Sequence, residues 1–175
     1  ARQLKFPRRY TGEALASGIE NYLFLCPKCG GFSTLHSSGD RFWCDCGLAG
    51  RYDEYAMLHG DGFGFKTVRD WGAWQKEEFD RLYHEVWTNE TLFCDEDVTL
   101  YRITQEHARV ACMHGTLKAD KTGFSIENER FDFAHVQAME YINLGNTILF
   151  QSKGQYWDMT RTGLCGVKYR MLWTR

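Results

Sequence analysis

No apolar run in this chain approaches the roughly 20 residues that cross a bilayer as a helix. The longest candidates, such as residues 22–25, are strand-sized. No excess of charge is present either: 21 Lys and Arg stand against 23 Asp and Glu, a formal net charge of -2. That balance gives no electrostatic reason to expect nucleic acid as a strong partner. The opening Ala1-Arg2-Gln3 leads into no apolar segment, so no secretory signal is expected. The missing initiator Met fits a piece of something longer, or Met removal. What is present is a hydrophobic share of 43% in 175 residues, enough for the core of one ordinary domain or two small ones.

Seven cysteines are an odd number, and four of them lie in two pairs too close together for a usual disulfide. Their spacing suits chelation and favours a reducing, cytoplasmic compartment. In "LCPKCGGFSTLHSSGDRFWCDCG", Cys26 and Cys29 form one pair, Cys44 and Cys46 the other, and a glycine follows each pair. Zn²⁺ prefers four ligands in a tetrahedron, and thiolates supply them at about 2.3 Å. Residues 32–36 and 41–43 read as short strands joined by the turn residues 37–40. Knuckle, hairpin, knuckle is the plan of a zinc ribbon with one structural Zn²⁺ on Cys26, Cys29, Cys44 and Cys46. Four buried free thiols, a redox pair or an iron site are the alternatives. His36 reads as a strand residue near the surface and Asp45 as a solvated acid.

The remaining chain divides by period. Residues 1–25 form a linker with Arg2, Lys5, Arg8 and Arg9, followed by a short amphipathic helix from Thr11. Residues 26–66 are the ribbon, with a third strand in "LAGRYDEY" and a glycine-rich loop in "HGDGFGF". That loop lacks the Lys-Ser/Thr of a phosphate cradle. Residues 67–87 predict a connecting helix capped at Thr67 or Asp70, with Trp71, Trp74, Phe79, Leu82, Tyr83 and Val86 near a 3.6 period. Residues 88–175 predict about seven short strands, separated by turn signals, and a C-terminal helix carrying Leu164, Val167, Met171 and Leu172. The fold class is therefore mainly β with helices (α+β).

Seven antiparallel strands closed by one helix resemble a pleckstrin-homology-like (PH-like) barrel. Leu117, Gly123, Phe124, Phe131, Phe133 and Val136 take the places of a hairpin-and-turn pattern found in bacterial PH-like and GRAM-like domains. A different small barrel or a sandwich is the competing arrangement. The pieces "IENYLFLCPKCGGFSTL", "RFWCDCGLAGRYDEY", "TVRDWGAWQ" and "KYRMLW" follow one another in an order similar to the C-terminal extension of some bacterial 1-acyl-glycerol-3-phosphate acyltransferases. That resemblance implies a parent enzyme that acylates lysophosphatidic acid at the inner face of the membrane, with this segment as an accessory module docked to the catalytic domain.

The family's His-x4-Asp motif is absent. Of the six histidines only His135 comes close, with Glu140 five residues on, and both read as barrel residues. Phe6-Pro7-Arg8-Arg9 matches the family's substrate-phosphate motif for two residues only. Cys94, Cys112 and Cys165 sit singly among apolar neighbours and read as buried inert thiols. No Gly-x-Ser-x-Gly elbow surrounds Ser33, Ser37 or Ser38. No catalytic residue is therefore assigned. Asp120 between Lys118 and Lys121, and Glu127, Glu129 and Asp132 around Arg130, predict at most weak contact with an anionic membrane surface. The alternative reading is a stand-alone zinc-ribbon adaptor for protein or nucleic acid.

Overall fold

A computed structural model describes residues 8–88 and 90–175. The linker residues Arg2, Lys5, Phe6 and Pro7 lie outside them. The chain divides into two compact units between His84 and Glu85. Each holds one antiparallel sheet and one α-helix, so the fold is mainly β with two α-helices (α+β).

The first unit is a meander of β1 (Leu35–Ser38), β2 (Arg41–Cys44), β3 (Ala49–Tyr52) and β4 (Leu58–His59), hydrogen-bonded in that order. Alternation sets its faces: Phe42 and Cys44 of β2 point inward, Arg41 and Trp43 outward. The first strand begins three residues later than expected, because residues before it complete the cysteine knuckle and only Leu25 and Phe32 bridge there. β4 was not expected. Tertiary pairing recruits Leu58 and His59 to β3, and the Leu58 N–H donates to the Lys66 carbonyl at 2.8 Å, closing the glycine-rich loop. That loop drops Phe63 into the core, where its ring lies 5.5 Å from Phe42 and 5.6 Å from Trp71.

Helix α1 (Val68–Arg81) starts where expected: Thr67 is extended and its Oγ1 accepts the Asp70 N–H at 3.1 Å. Trp71 and Phe79 of the apolar stripe are buried, whereas Val86, the last residue of the π-helical turn Leu82–Val86 that follows the α-helix, is exposed. The stripe packs into the first unit, since Trp71 shares a cluster with Cys26, Phe42 and Cys44. Gln75 is the polar member of this face. Its Oε1 accepts the N–H groups of Phe24 (2.7 Å) and Leu25 (3.0 Å), and its Nε2 donates to the Tyr22 carbonyl (3.2 Å). The helix expected from Thr11 shrinks to one 3-10 turn, Ile19–Asn21, because Gly18 takes a left-handed φ of 82°.

The second unit contains all seven expected strands: β5 (Phe93–Ile103), β6 (Arg109–Asp120), β7 (Gly123–Ile126), β8 (Glu129–Asp132), β9 (Val136–Ile142), β10 (Thr147–Ser152) and β11 (Gln155–Thr160). They form one sheet in the order β8-β7-β6-β5-β11-β10-β9. The sheet is not closed, so the expected barrel is not shown. It curls instead, so that Phe131 of edge strand β8 meets Phe150 at 4.9 Å and Trp157 at 5.3 Å. Helix α2 (Gly166–Trp173) packs against β9, the edge that closure would join to β8, and Trp173 Nε1 donates to the Val136 carbonyl at 3.3 Å.

A buried ion network ties α2 to β5. Lys168 Nζ lies 2.7 Å from Asp95 Oδ2, the Tyr169 hydroxyl donates to the same oxygen, and Arg161 approaches Oδ1 at 3.2 Å. Burial first, and then the Asp95 charge, hold the Tyr169 hydroxyl well above its ordinary pKa. No helix among the described residues is long and apolar enough to cross a membrane.

Candidate metal centre

Backbone turns aim the four predicted ligands at one point. In the first knuckle the Gly30 N–H donates to the Cys26 carbonyl at 2.9 Å and the Cys26 N–H to the Gly31 carbonyl at 3.0 Å. In the second, the Gly47 N–H donates to the Cys44 carbonyl at 2.9 Å. Both turns need a left-handed residue after the second cysteine, and Gly30 (φ 70°) and Gly47 (φ 83°) supply it without a Cβ penalty. Cys44 ends β2, so the sheet holds one knuckle while the Leu25–Phe32 bridge holds the other.

All four sulfurs lie within 4.8 Å of one another. Cys26 Sγ is 3.7 Å from Cys46 Sγ, and Cys29 Sγ is 3.8 Å from Cys44 Sγ. Metal–sulfur bonds of about 2.3 Å in a tetrahedron require edges of about 3.8 Å, so the two spacings fit one ion. A disulfide needs sulfurs at about 2.05 Å, and the two pairs are far from it. The sulfurs are also too close together to enclose a multi-iron cluster. Such a set suits a soft or borderline metal ion.

The environment favours the thiolate of Cys44. Burial opposes its ionisation, but the Cys46 backbone, the Thr34 hydroxyl (3.2 Å from Sγ) and the Cys26 and Cys46 thiols outweigh burial and bring it down to about 7. Burial pushes Cys26 up to about 12 despite the backbone groups of Cys29 and Lys28. At Cys46 the Leu48 backbone pulls down, yet burial and the competing Cys44 and Cys29 thiols leave it raised. A bound cation reverses this order, because a metal ligates thiolate and displaces the protons.

His36 stays outside the sulfur cluster, as expected. Asp45, expected to be solvated, is exposed but paired: its Oδ1 lies 2.8 Å from His36 Nε2, and the His36 ring sits 5.9 Å from Trp43. The pair links β1 to the residue between Cys44 and Cys46, a contact that spacing alone did not reveal. His135 and Glu140 are not brought together into a catalytic pair. His135 lies 3.9 Å from Asp132, while Glu140 pairs with Arg170 at 3.2 Å. Cys165 is buried as expected, and burial pushes its thiol up to about 11. Cys94 and Cys112 are exposed, against expectation: Cys94 falls on the outward side of β5, and Cys112 lies in the first part of β6, where neighbouring residues on both faces are exposed. Comparison with protein-family models finds no match, and comparison with curated proteins finds none.

Proposed function

We propose that this chain is a non-catalytic accessory and docking module of a membrane-associated glycerophospholipid acyltransferase, whose parent reaction is acyl transfer to lysophosphatidic acid. The observation that carries the non-catalytic reading is the sulfur tetrad. Four cysteines complete the coordination of one Zn²⁺ and leave no position for water or substrate, which is the arrangement of a structural ion. Cys26, Cys29, Cys44 and Cys46 would hold it, and it would staple two knuckles whose Cys26 and Cys44 belong to the first unit's core.

The second unit is read as PH-like. In its support stand the meander order, the β5–β11 pairing that joins the two halves of the sheet, and the helix packed after the last strand. The parent assignment rests on the order of sequence pieces shared with acyltransferase C-terminal extensions. Its partner would be the parent catalytic domain, and its place the cytoplasmic face of the membrane, reached through that parent with weak peripheral contact at most.

Sequencing the coding DNA upstream of Ala1 tests the reading directly. An in-frame domain with His-x4-Asp supports it, and a start codon at residue 1 with no acyltransferase partner removes it. In an assay with lysophosphatidic acid and an acyl donor, the chain alone is expected to show no turnover above background. One observation favours a second reading, a stand-alone zinc-ribbon adaptor: Trp43 is exposed beside His36 on the ribbon's outer face. Loss of a captured partner on Trp43→Ala, with the metal retained, would support it.

A further inference from the structure

The second unit holds a cavity of about 830 Å³ at the end of the sheet where the β5–β6 loop approaches the β10–β11 turn. That volume lies within the roughly 300–1,000 Å³ of small-molecule sites. Ile103, Leu149 and Tyr156 give it apolar walls, and Arg109, Asp158 and His107 are its ionisable lining. The register explains the grouping: Ile103 pairs with Arg109 across β5–β6 and with Tyr156 across β5–β11, and Asp158 pairs with Leu149 across β10–β11.

Arg109 is held in one orientation from two sides. Its Nε lies 2.9 Å from Asp158 Oδ2, a carboxylate that is 4% exposed. Its guanidinium carbon sits 4.1 Å above the centre of the Tyr101 ring. Its Nη atoms make no hydrogen bond among the described residues and remain available. A planar cation with a fixed donor edge is a receptor for a carboxylate or phosphate oxygen pair.

The loop that carries His107 is equally fixed. The His107 N–H donates to the Thr104 carbonyl at 3.0 Å, the Thr104 N–H to the Ala108 carbonyl at 2.9 Å, and the Ala108 N–H to Thr104 Oγ1 at 3.3 Å. His107 takes a left-handed φ of 62°, an arrangement that costs free energy in a residue with a side chain. Gln155, also on the rim, is spent on structure, since its amide donates to the Ile103 and Tyr156 carbonyls at 2.7 and 2.9 Å. Ile103, Leu149, Tyr156 and Trp157 form the apolar part of the lining, with Thr104, Gln105 and His107 on the loop side and the fixed guanidinium of Arg109 beside Asp158.

We infer that this cavity binds a small amphiphile, an oxyanion head on a single apolar chain, with the head on the Nη edge of Arg109 and the chain against Ile103, Leu149 and Tyr156. The head is a carboxylate, as in a free fatty acid, or a phosphate ester, as in a lysophospholipid. The site uses neither the metal nor a parent enzyme, so it stands or falls apart from the function proposed above.

Isothermal titration of the full, metal-loaded chain with monomeric decanoate, decyl phosphate, decanol and inorganic phosphate tests it. Decanoate or decyl phosphate is expected to bind one to one, at least tenfold tighter than decanol or inorganic phosphate. The tighter of the two names the source of the head. Arg109→Lys keeps the charge beside Asp158 but loses the planar donor edge, and is expected to weaken binding about tenfold. Leu149→Trp fills the cavity from the position opposite Asp158 while leaving both members of the ion pair in place, and is expected to abolish binding while the melting temperature stays within a few degrees. Decanol binding as tightly as decanoate, full binding in Leu149→Trp, or no binding by either anionic amphiphile at millimolar concentration would each overturn the inference.

Discussion

Cys44 shows how much one residue can carry. It ends β2, belongs to the buried cluster around Phe42 and Trp71, and offers a thiol lowered to about 7. Cys44→Ser is expected to abolish stoichiometric metal binding, measured by elemental analysis, and to unfold the first unit, because closing such a site is coupled to folding by roughly 10 kcal/mol or more of apparent metal affinity. Metal loading at pH 7 should release protons, since Cys26 and Cys46 are held protonated without it. Titrations in buffers of different ionisation enthalpy would measure the number released.

Asp120 is the clearest residue for acid sensitivity. Burial opposes its ionisation, yet a two-pronged pair with Arg130 at 3.0 Å, and the hydroxyl and N–H of Thr122, lower it to about 2. A depressed carboxyl contributes stability that is present above its ordinary value near 3.8 and is lost as pH falls through about 2. Allowing for solvent screening of the half-exposed Arg130, Asp120→Asn should cost about 1 kcal/mol at pH 7. The difference from wild type should vanish near pH 2 in urea titrations.

Among the elements, the strands of the second unit were legible and several of their ties were not. Turn residues such as Lys153-Gly154 and short aromatic-rich runs mark strand ends locally, so β5–β11 could be placed from sequence. Whether β8 would reach β9 depends on where α2 packs, and no local pattern encodes that. Gln75 looks like an ordinary polar residue between Trp74 and Lys76, but it satisfies two buried N–H groups some fifty residues away in sequence. Gln75→Leu keeps the apolar character of the face and orphans both donors. It should destabilise the first unit by about 2–4 kcal/mol in denaturant titration. Asp95 escaped notice for the same reason: its partners Lys168, Tyr169 and Arg161 are all near the other end of the unit. Asp95→Asn deprives a nearly fully buried lysine of its carboxylate, and is expected to cost about 3–5 kcal/mol. Adding Lys168→Met should recover part of that loss.

At the scale of the molecule, the cysteine spacing pointed at once to a four-sulfur cluster, which the structure brings together, while the core that supports it did not show. Phe63 enters from a glycine-rich loop and Trp71 from a helix that read as a connector. The two units should also respond differently to metal. The first has a core of Leu23, Phe42, Phe63 and Trp71 that includes two of the candidate ligands, Cys26 and Cys44, whereas the second has a core of Leu100, Leu117, Phe124, Ile148 and Phe150 that includes none. Chelation is expected to lower one calorimetric transition and leave the other in place. A single transition that shifts as a whole would contradict that independence.

The sulfur tetrad also governs how the chain behaves on a charged column. At neutral pH, where Cys44 is already partly thiolate, turning the tetrad into four thiolates around one divalent ion adds somewhat less than two negative charges to the formal charge of -2 carried by the sequence. The loaded chain should therefore elute later from an anion exchanger than the chelated chain at neutral pH, and focus below the pI of about 6.3 that composition predicts. Retention then separates metal-filled from metal-free protein without any spectroscopic label.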